Sequence, residues 1–475
     1  MDIMFSHYGE LFVSFLKLGL IATLLLGIVL FFTGHWQRFF SYVYGDFTRN
    51  ERHKFILYGI LYLFIIGIFW LLRCIKNPMF NAFIGARHMW LAKIVSVAVT
   101  FPLVVGYSYL VDLFPRHRLF YVMAGIFGGL YAGLWFLIKS PVFGVGAPID
   151  HRWWLLGWFS YVAIESFGSL MVVLFYSLMA DTTTPEAGKK GFFVVATFGQ
   201  IGNMLGSEFV ARASHVVGAE TIFLLAAGLI VLCIPALVCF INWYIPKEEF
   251  AGYQAQGAHT YQEKTGFAEG LKLMLSQPYM MAIFVIVASF EIVATILDLQ
   301  FQVLIADYAN DNADIYASYM GEFGVWVSLL ALSSLFLGIG NIGRKVGLAI
   351  SLALMPLVMV FNNVAMFVAP SLSVVFWIMV FSKGLNYIFG QPVKEQLYIP
   401  VSRDAKYKSK AWVDTFGARL SKAFGSSIVG MLFIAGASVV LTVGATLSVC
   451  TIWLFVSLYA GKKHKYAVDR NEIVC

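Results

Sequence analysis

The stretch IPKEEFAGYQAQGAHTYQEKTGFAEG, residues 245–270, is the one long polar interruption in an otherwise apolar chain. Six apolar runs follow it, at about 279–304, 318–340, 346–369, 372–393, 409–436 and 438–460. Six precede it, at about 55–75, 89–112, 119–139, 153–179, 191–213 and 219–244, with one further run at about 11–32. A helix needs about 20 apolar residues to cross roughly 30 Å of hydrocarbon, and each run is about that long. The break therefore divides twelve spans into six plus six and leaves the first run as an addition. The composition agrees: 60% hydrophobic and 12% charged residues, with a mean hydropathy of +0.79, exclude a soluble domain.

The expected organisation is an extra N-terminal span with a basic loop (1–54), a six-helix half (55–244), a linker (245–278), a second six-helix half (279–460) and a basic tail (461–475). Lys and Arg set the orientation. The loops carrying Arg38, Arg49, Arg52 and Lys54, then Arg116 and Arg118, then Lys189 and Lys190, alternate with poorer ones, and ADYANDNADIYAS at 306–318 has none. The basic loops and the tail are expected in the cytoplasm and the N-terminus outside. The net charge of +7 is spent on these loops rather than on a stripe, so nucleic acid is not an expected partner. MDIMFSHYGELF has neither a basic n-region nor a cleavage site, and the simplest expectation is a bacterial inner-membrane protein in a lipid bilayer. Cys74, Cys233, Cys239, Cys450 and Cys475 show no metal-ligand spacing and read as small apolar residues.

A weak internal repeat fits the division. TPEAGKKGFFVVATFG (184–199) and SRDAKYKSKAWVDTFG (402–417) share Ala187/Ala405, Lys190/Lys408, Val195/Val413 and a common Thr-Phe-Gly. DLFPRHRL (112–119) and GNIGRKVGL (340–348) stand between the second and third spans of each half. Parallel six-helix repeats around a central site describe the major-facilitator architecture. The fold class is therefore all-α polytopic, a major-facilitator-like six-plus-six core with one extra N-terminal span.

Charges inside the apolar runs are the candidate site. They are Arg73, Lys76, Lys93, Glu165, Glu208, Glu291, Asp298, Lys383, Arg419 and Lys422. A charge at the bilayer centre costs roughly 2.5–3.5 kcal/mol, so such residues face a cavity, a partner or a ligand. Arg73/Lys76 and Arg419/Lys422 each place two cations on one helix face at i, i+3, in opposite halves. Glu291 and Asp298 are seven residues apart, two turns on one face, and suit coupling or gating. Blander readings exist for each. Arg73 and Lys93 lie where a side chain reaches a helix end by snorkelling, and Glu165 suits an interhelical hydrogen bond. The glycine-rich runs FGQIGNMLGS (198–207), GIFGGLYAG (125–133) and FGSSIVG (424–430) read as helix packing.

Enzyme chemistry is not indicated. All nine histidines fall in loops or at span ends, and there is no G-x-x-x-x-G-K-[ST] loop and no H-E-x-x-H or C-x-x-C spacing. No metal, cofactor or catalytic residue is expected, and secondary transport is what remains.

Longer stretches resemble the ATP/ADP translocases, the nucleotide transporters of obligate intracellular bacteria and plastids, over about 52–465. LLRCIKNPMFNAFIGARHMWLAK (71–93) is similar to the family's L-R-x-x-K-D segment and places Arg73, Lys76 and Lys93 on its basic positions. IESFGSLMVVLFYSLMADTTTPEAGKKGF (164–192) sets Glu165 on a functional glutamate, and TILDLQFQ (295–302) puts Asp298 where the family has glutamate. YMGEFGVW (319–326) follows, and KEQLYIPVSRDAKYKSKAWVDTFGARLSKAFGS (394–426) brings Lys422 onto the C-terminal functional lysine. The chain departs from the pattern at Asn77, Arg87, Gln302, Asn386 and Gly390-Gln391.

The resemblance implies a monomeric transporter working by alternating access. Lys76 and Lys422, helped by Arg73 and Arg419, would attract phosphates, while Glu165 and Asp298 pair with those bases in the empty site. The departures leave ATP/ADP exchange, proton-coupled nucleotide import and another phosphate-bearing anion as alternatives. A non-transporting membrane protein is the reading from a different class.

Overall fold

The computed structural model describes residues 47–474 apart from 115, 143, 145–153, 184, 251–266, 311, 338–346, 369–370, 399, 402–411, 436–438 and 471. The expected first span, most of the polar break, and the basic segments at 340–346 and 402–411 lie outside the described residues.

Each of the last twelve apolar runs forms a helix. The first six are α1 (Arg49–Ile84), α2 (Met89–Leu113), α3 (Arg116–Lys139), α4 (Trp154–Asp181), α5 (Pro185–Val217) and α6 (Thr221–Tyr244). A short helix at Phe267–Ser276 leads to α7 (Pro278–Ala309), α8 (Ala313–Leu337), α9 (Leu348–Val368), α10 (Leu372–Leu385), α11 (Ala418–Ile434) and α12 (Val439–Asp469). Among the described residues, 8 helices are long and apolar enough to cross a membrane. α5 is more polar, because Glu186, Lys189, Lys190, Glu208 and Arg212 punctuate it.

Local chemistry explains the boundaries. α1 starts six residues before its apolar run because Thr48 and Glu51 cap each other: the Thr48 N–H donates to Glu51 Oε2 at 2.9 Å and the Glu51 N–H to Thr48 Oγ1 at 3.2 Å. It ends at Gly85, whose φ of 98° breaks the helix before a single tight turn at Ala86–His88. α10 continues through a π-helical turn at Asn386–Gly390 into Gln391–Leu397.

The described chain forms two compact units that draw on both runs of helices. One falls within Met1–Ile84, Thr100–Ala258 and Ala309–Ser333, the other within Gly85–Val99, His259–Tyr308 and Ser334–Cys475. In the first unit α1 packs on α4, α5 and α6, and α3 on α6. The α1–α5 contact is backbone against backbone. A Cβ added at Gly202 would lie 2.3 Å from the Leu63 carbonyl oxygen, and one at Gly206 2.3 Å from that of Gly67. The glycine run at 198–207 is thus a packing device, as its small-residue spacing suggests. Most of α8 joins this unit: Ser214 Oγ donates to the Asp314 carbonyl at 3.1 Å, and the Ala219 N–H to Asp314 Oδ1 at 2.7 Å.

In the second unit α9 packs along α12 and against α10. Asn363 Nδ2 donates to the Val443 carbonyl at 3.3 Å, and Asn362 Nδ2 to Ser382 Oγ at 2.5 Å, so the buried amides of α9 are satisfied by neighbouring helices.

Candidate functional site

Three of the four lysines singled out in the sequence, Lys76, Lys93 and Lys422, are each held by a carboxylate. In the first unit Lys76, near the end of α1, is paired with Glu165 of α4. The two are unequally covered, with 9% of the lysine side chain exposed against 38% of the glutamate side chain. Tyr161, one turn before Glu165 on α4, lies under the ammonium, with Lys76 Nζ 4.4 Å from its ring centroid. A carboxylate on one side and the negative face of a ring on another replace the hydration that burial removes. Arg73, one turn before Lys76, spreads its guanidinium over the Trp70 ring at 4.7 Å. Glu208 faces outward in an i, i+4 pair with Arg212.

The second unit holds the other two pairs. Lys93 of α2 donates to Asp298 Oδ2 of α7 at 2.6 Å, with the two side chains 17% and 22% exposed. Gln302, one turn on along α7 and 1% exposed, donates to the other oxygen, Asp298 Oδ1, at 3.4 Å. Lys422 of α11 lies 3.5 Å from Glu291 Oε2 of α7, the lysine half exposed and the glutamate largely covered. α11 reaches this position because Gly425 lets it approach α7, where an added Cβ would stand 2.9 Å from the Ile292 carbonyl oxygen. Arg419, one turn before Lys422, is half-buried.

The pairing differs from the sequence expectation in one respect. Asp298 is held by Lys93, and Lys422 by Glu291, two turns away on the same face of α7. Lys93 does not snorkel to a helix end. It stands in the fifth position of α2 and points at a carboxylate, because Gly430 admits the adjacent Trp90 ring and seats the start of α2 against α11. Tyr161 and Gln302 complete two of the pairs and were not among the candidate residues. Tyr161 was legible as the aromatic residue one turn from Glu165.

The arrangement presents three cations whose partners in this structure are carboxylates. A lysine already paired with a carboxylate is poised to take a phosphate oxygen instead, because both are charge-assisted acceptors of similar geometry. The carboxylate that is displaced must then be rehydrated or protonated. Glu165, the most exposed acid of the three pairs, is the least costly to release.

Solved structures with a similar fold are transporters. One is a bacterial homolog of the human lysosomal transporter Spinster, inward-facing and unoccupied, which superposes with a TM-score of 0.59 at 14% identity over 88% of this chain and 99% of that one. A POT family transporter gives 0.57 at 10% identity over 86% and 96%, and a D-xylose–proton symporter 0.52 at 14% identity over 86% and 96%. These likenesses make the fold major-facilitator-like. By sequence the chain is 22% identical to ADP,ATP carrier protein 1 of Rickettsia prowazekii (strain Madrid E), covering 89% of this chain and 96% of that protein. It is 26% identical to ADP,ATP carrier protein 1 of Chlamydia muridarum (strain MoPn / Nigg), over 78% and 77%, and 23% identical to the chloroplastic ADP,ATP carrier protein 2 of Arabidopsis thaliana, over 79% and 68%. The family profile described as TLC ATP/ADP transporter matches residues 137–464, which is well over half of the sequence. The chain is a multi-pass membrane transporter and belongs to the TLC ATP/ADP transporter family.

Proposed function

We propose that this protein is a secondary active transporter of nucleotides across the bacterial inner membrane, working by alternating access with its C-terminus in the cytoplasm and its N-terminus outside. The observation that carries this reading is the buried lysine Lys76, clamped by Glu165 and Tyr161. The ammonium is held by a carboxylate and a ring face, and a phosphate oxygen can take the place of that carboxylate, which suits a solute that carries negative charge. Lys93–Asp298 and Lys422–Glu291 supply the same chemistry in the second unit, and Arg73 and Arg419 add guanidinium groups beside the lysines. Phosphates would take the place of the carboxylates on the lysines, with Glu165 and Asp298 returning to them when the substrate leaves. The return closes the site without leaving bare charges and opposes leak of ions.

The charge balance favours exchange. Carrying a polyanion one way moves net negative charge across the membrane, which is largely cancelled when another nucleotide travels the opposite way or protons travel with it, and the first of these is exchange. Uptake of radiolabelled ATP and ADP into cells expressing the chain tests the proposal, with release stimulated by external nucleotide marking exchange. Glu291 and Asp298 also suit proton carriers, and uptake that collapses with the proton gradient would favour proton-coupled import instead. No uptake or exchange of any nucleotide by well-expressed protein would sink the proposal.

A further inference from the structure

The last helix carries cations that the candidate site does not use. α12 has 31 residues and is about 46 Å long, against about 30 Å of hydrocarbon. Val440 and Leu441, exposed and apolar, start it in the hydrocarbon, so roughly its last ten residues stand in the headgroup layer or past it. One face reads in order along this end. Ile452 and Phe455, 56% and 67% exposed, are followed by Tyr459, Lys463 and Tyr466, with Arg470 just past the helix end. Steps of three and four residues put these side chains on one stripe, which passes from apolar to aromatic to cationic. Lys462 and Lys465 are exposed beside it.

The opposite face of the same turns is fixed to the protein. Ala460 and Ala467 are buried, a Cβ added at Gly461 would stand 2.6 Å from Ala349 Cα of α9, and His464 Nε2 lies 3.1 Å from the Gln396 carbonyl oxygen. Past the helix the Val474 N–H donates to the Pro400 carbonyl at 2.8 Å. The cationic end of the stripe therefore cannot roll away from its apolar end. Its cations rest on rings: Lys463 Nζ is 5.8 Å from the Tyr459 ring centroid and 3.4 Å from its hydroxyl oxygen, and the Arg470 guanidinium carbon is 4.2 Å from the Tyr466 centroid. A ring steadies a cation without neutralising it and leaves most of its N–H donors uncommitted. Among the described residues none of Lys462, Lys463, Lys465 and Arg470 is paired with a carboxylate, in contrast to Lys76, Lys93 and Lys422. Asp469 is the one acid in α12 and stands on the flank, four residues from Lys465, and Glu472 follows beyond the helix.

We propose that this face of α12 is a docking surface for anionic phospholipid headgroups. The acyl chains lie along Ile452 and Phe455, Tyr459 stands at the boundary where aromatic side chains concentrate, and the lipid phosphates accept from Lys462, Lys463 and Arg470. The guanidinium can take a phosphate with two parallel N–H groups while its face stays on Tyr466. A zwitterionic headgroup carries an ammonium that offsets its phosphate, so the surface selects lipids of net negative charge. The occupant is a lipid rather than a soluble acidic partner because the cations continue the lipid-facing stripe without a break.

The test uses the full-length chain purified in a neutral detergent, with phosphatidylglycerol or phosphatidylcholine added and the unfolding temperature followed. Phosphatidylglycerol should raise it at concentrations where phosphatidylcholine does not, and high salt should remove the difference. Each cation at an anionic surface is worth roughly fivefold in affinity. Lys462→Gln, Lys463→Gln and Arg470→Gln combined should therefore raise the phosphatidylglycerol concentration for half the effect on the order of a hundredfold. Tyr459→Leu with Tyr466→Leu keeps the charges and should weaken the response by roughly fivefold. Removing three exposed cations elsewhere, with Arg118→Gln, Lys247→Gln and Lys272→Gln, should leave it unchanged. Equal loss in the two triple variants would overturn the proposal by making net charge the cause. A native response in the α12 triple variant, or a native chain that does not distinguish the two lipids, would overturn it as well. Should the α12 triple variant yield no folded protein, the tyrosine pair and the salt dependence of the native chain decide.

Discussion

The pair of Lys76 and Glu165 is asymmetric in a way that makes removal of either partner informative. Unit charges about 4 Å apart attract by roughly 4 kcal/mol at an effective dielectric of 20, and breaking a buried pair by removing one side costs about 3–5 kcal/mol because the other charge is stranded. Lys76 is the covered member, at 9% side-chain exposure, while Glu165 keeps 38%. Glu165→Gln leaves an ammonium in a dry site with the Tyr161 ring as a weaker substitute, worth about 1–2 kcal/mol. A net loss of about 2–3 kcal/mol of stability follows. Lys76→Met fits an unbranched apolar chain into the same space and leaves a carboxylate that water can reach, so its cost is about 1 kcal/mol. The double variant, with no charge to strand, should be more stable than Glu165→Gln alone, which is a non-additivity of about 2 kcal/mol.

Transport separates the two substitutions in the opposite order. If Glu165 competes with phosphate for Lys76, Glu165→Gln tightens nucleotide binding and lowers KM, while turnover falls because nothing displaces the phosphate again. Lys76→Met loses uptake despite being the milder change for the fold. The assay is thermal unfolding of the detergent-purified variants alongside nucleotide uptake kinetics in cells. Equal destabilisation by the two single variants with strict additivity in the double would refute the stranded-charge argument. A raised KM in Glu165→Gln would refute the competition.

Other substitutions test the remaining pairs and the packing. Lys93→Ala removes the 2.6 Å partner of Asp298 and should cost about 3 kcal/mol, most of it recovered by adding Asp298→Asn; unfolding midpoints of the single and double variants check this. Lys422→Ala behaves differently, because its ion pair is half exposed and worth about 0–1 kcal/mol: expression and unfolding temperature should hold while nucleotide uptake is lost, and a collapse of the fold would contradict the exposure argument. Gly202→Ala drives a Cβ to within 2.3 Å of the Leu63 carbonyl oxygen and should separate α1 from α5, with loss of folded protein on size-exclusion chromatography. Gly228→Ala in α6 meets nothing within 4 Å and should be neutral or stabilising by up to about 1 kcal/mol in the same assay.

What the sequence revealed and what it concealed follow from the range of the forces involved. The twelve helices were legible because a bilayer imposes one strong, local requirement, about 20 apolar residues without an uncompensated charge, and the break at 245–270 violates it conspicuously. The glycines of 198–207 were legible for a related reason: small residues at every third or fourth position have few uses except close approach, and Gly202 and Gly206 meet the α1 backbone directly. The start of α1 was not legible from hydropathy, since a polar capping pair at Thr48 and Glu51 extends it past the apolar run. The charges themselves were equally conspicuous, yet their partners were not. Glu291 and Asp298 lie on one face of α7, separated by about 10 Å of helix rise, and choosing between them for Lys422 needs the axial register of α11 against α7 to within one turn. That register is set by Gly425 over Ile292, a contact between residues more than a hundred positions apart. The same holds with more force for Gln302. As a neutral amide it displays no cost in the sequence, and only the meeting of Lys93 with Asp298 gives it a carboxylate to support. A buried charge announces itself because its cost is local, whereas a neutral recognition group is silent until its neighbours are known. The lysines of the candidate site are therefore readable from the sequence, and the neutral groups that support their partners emerge only from the packing.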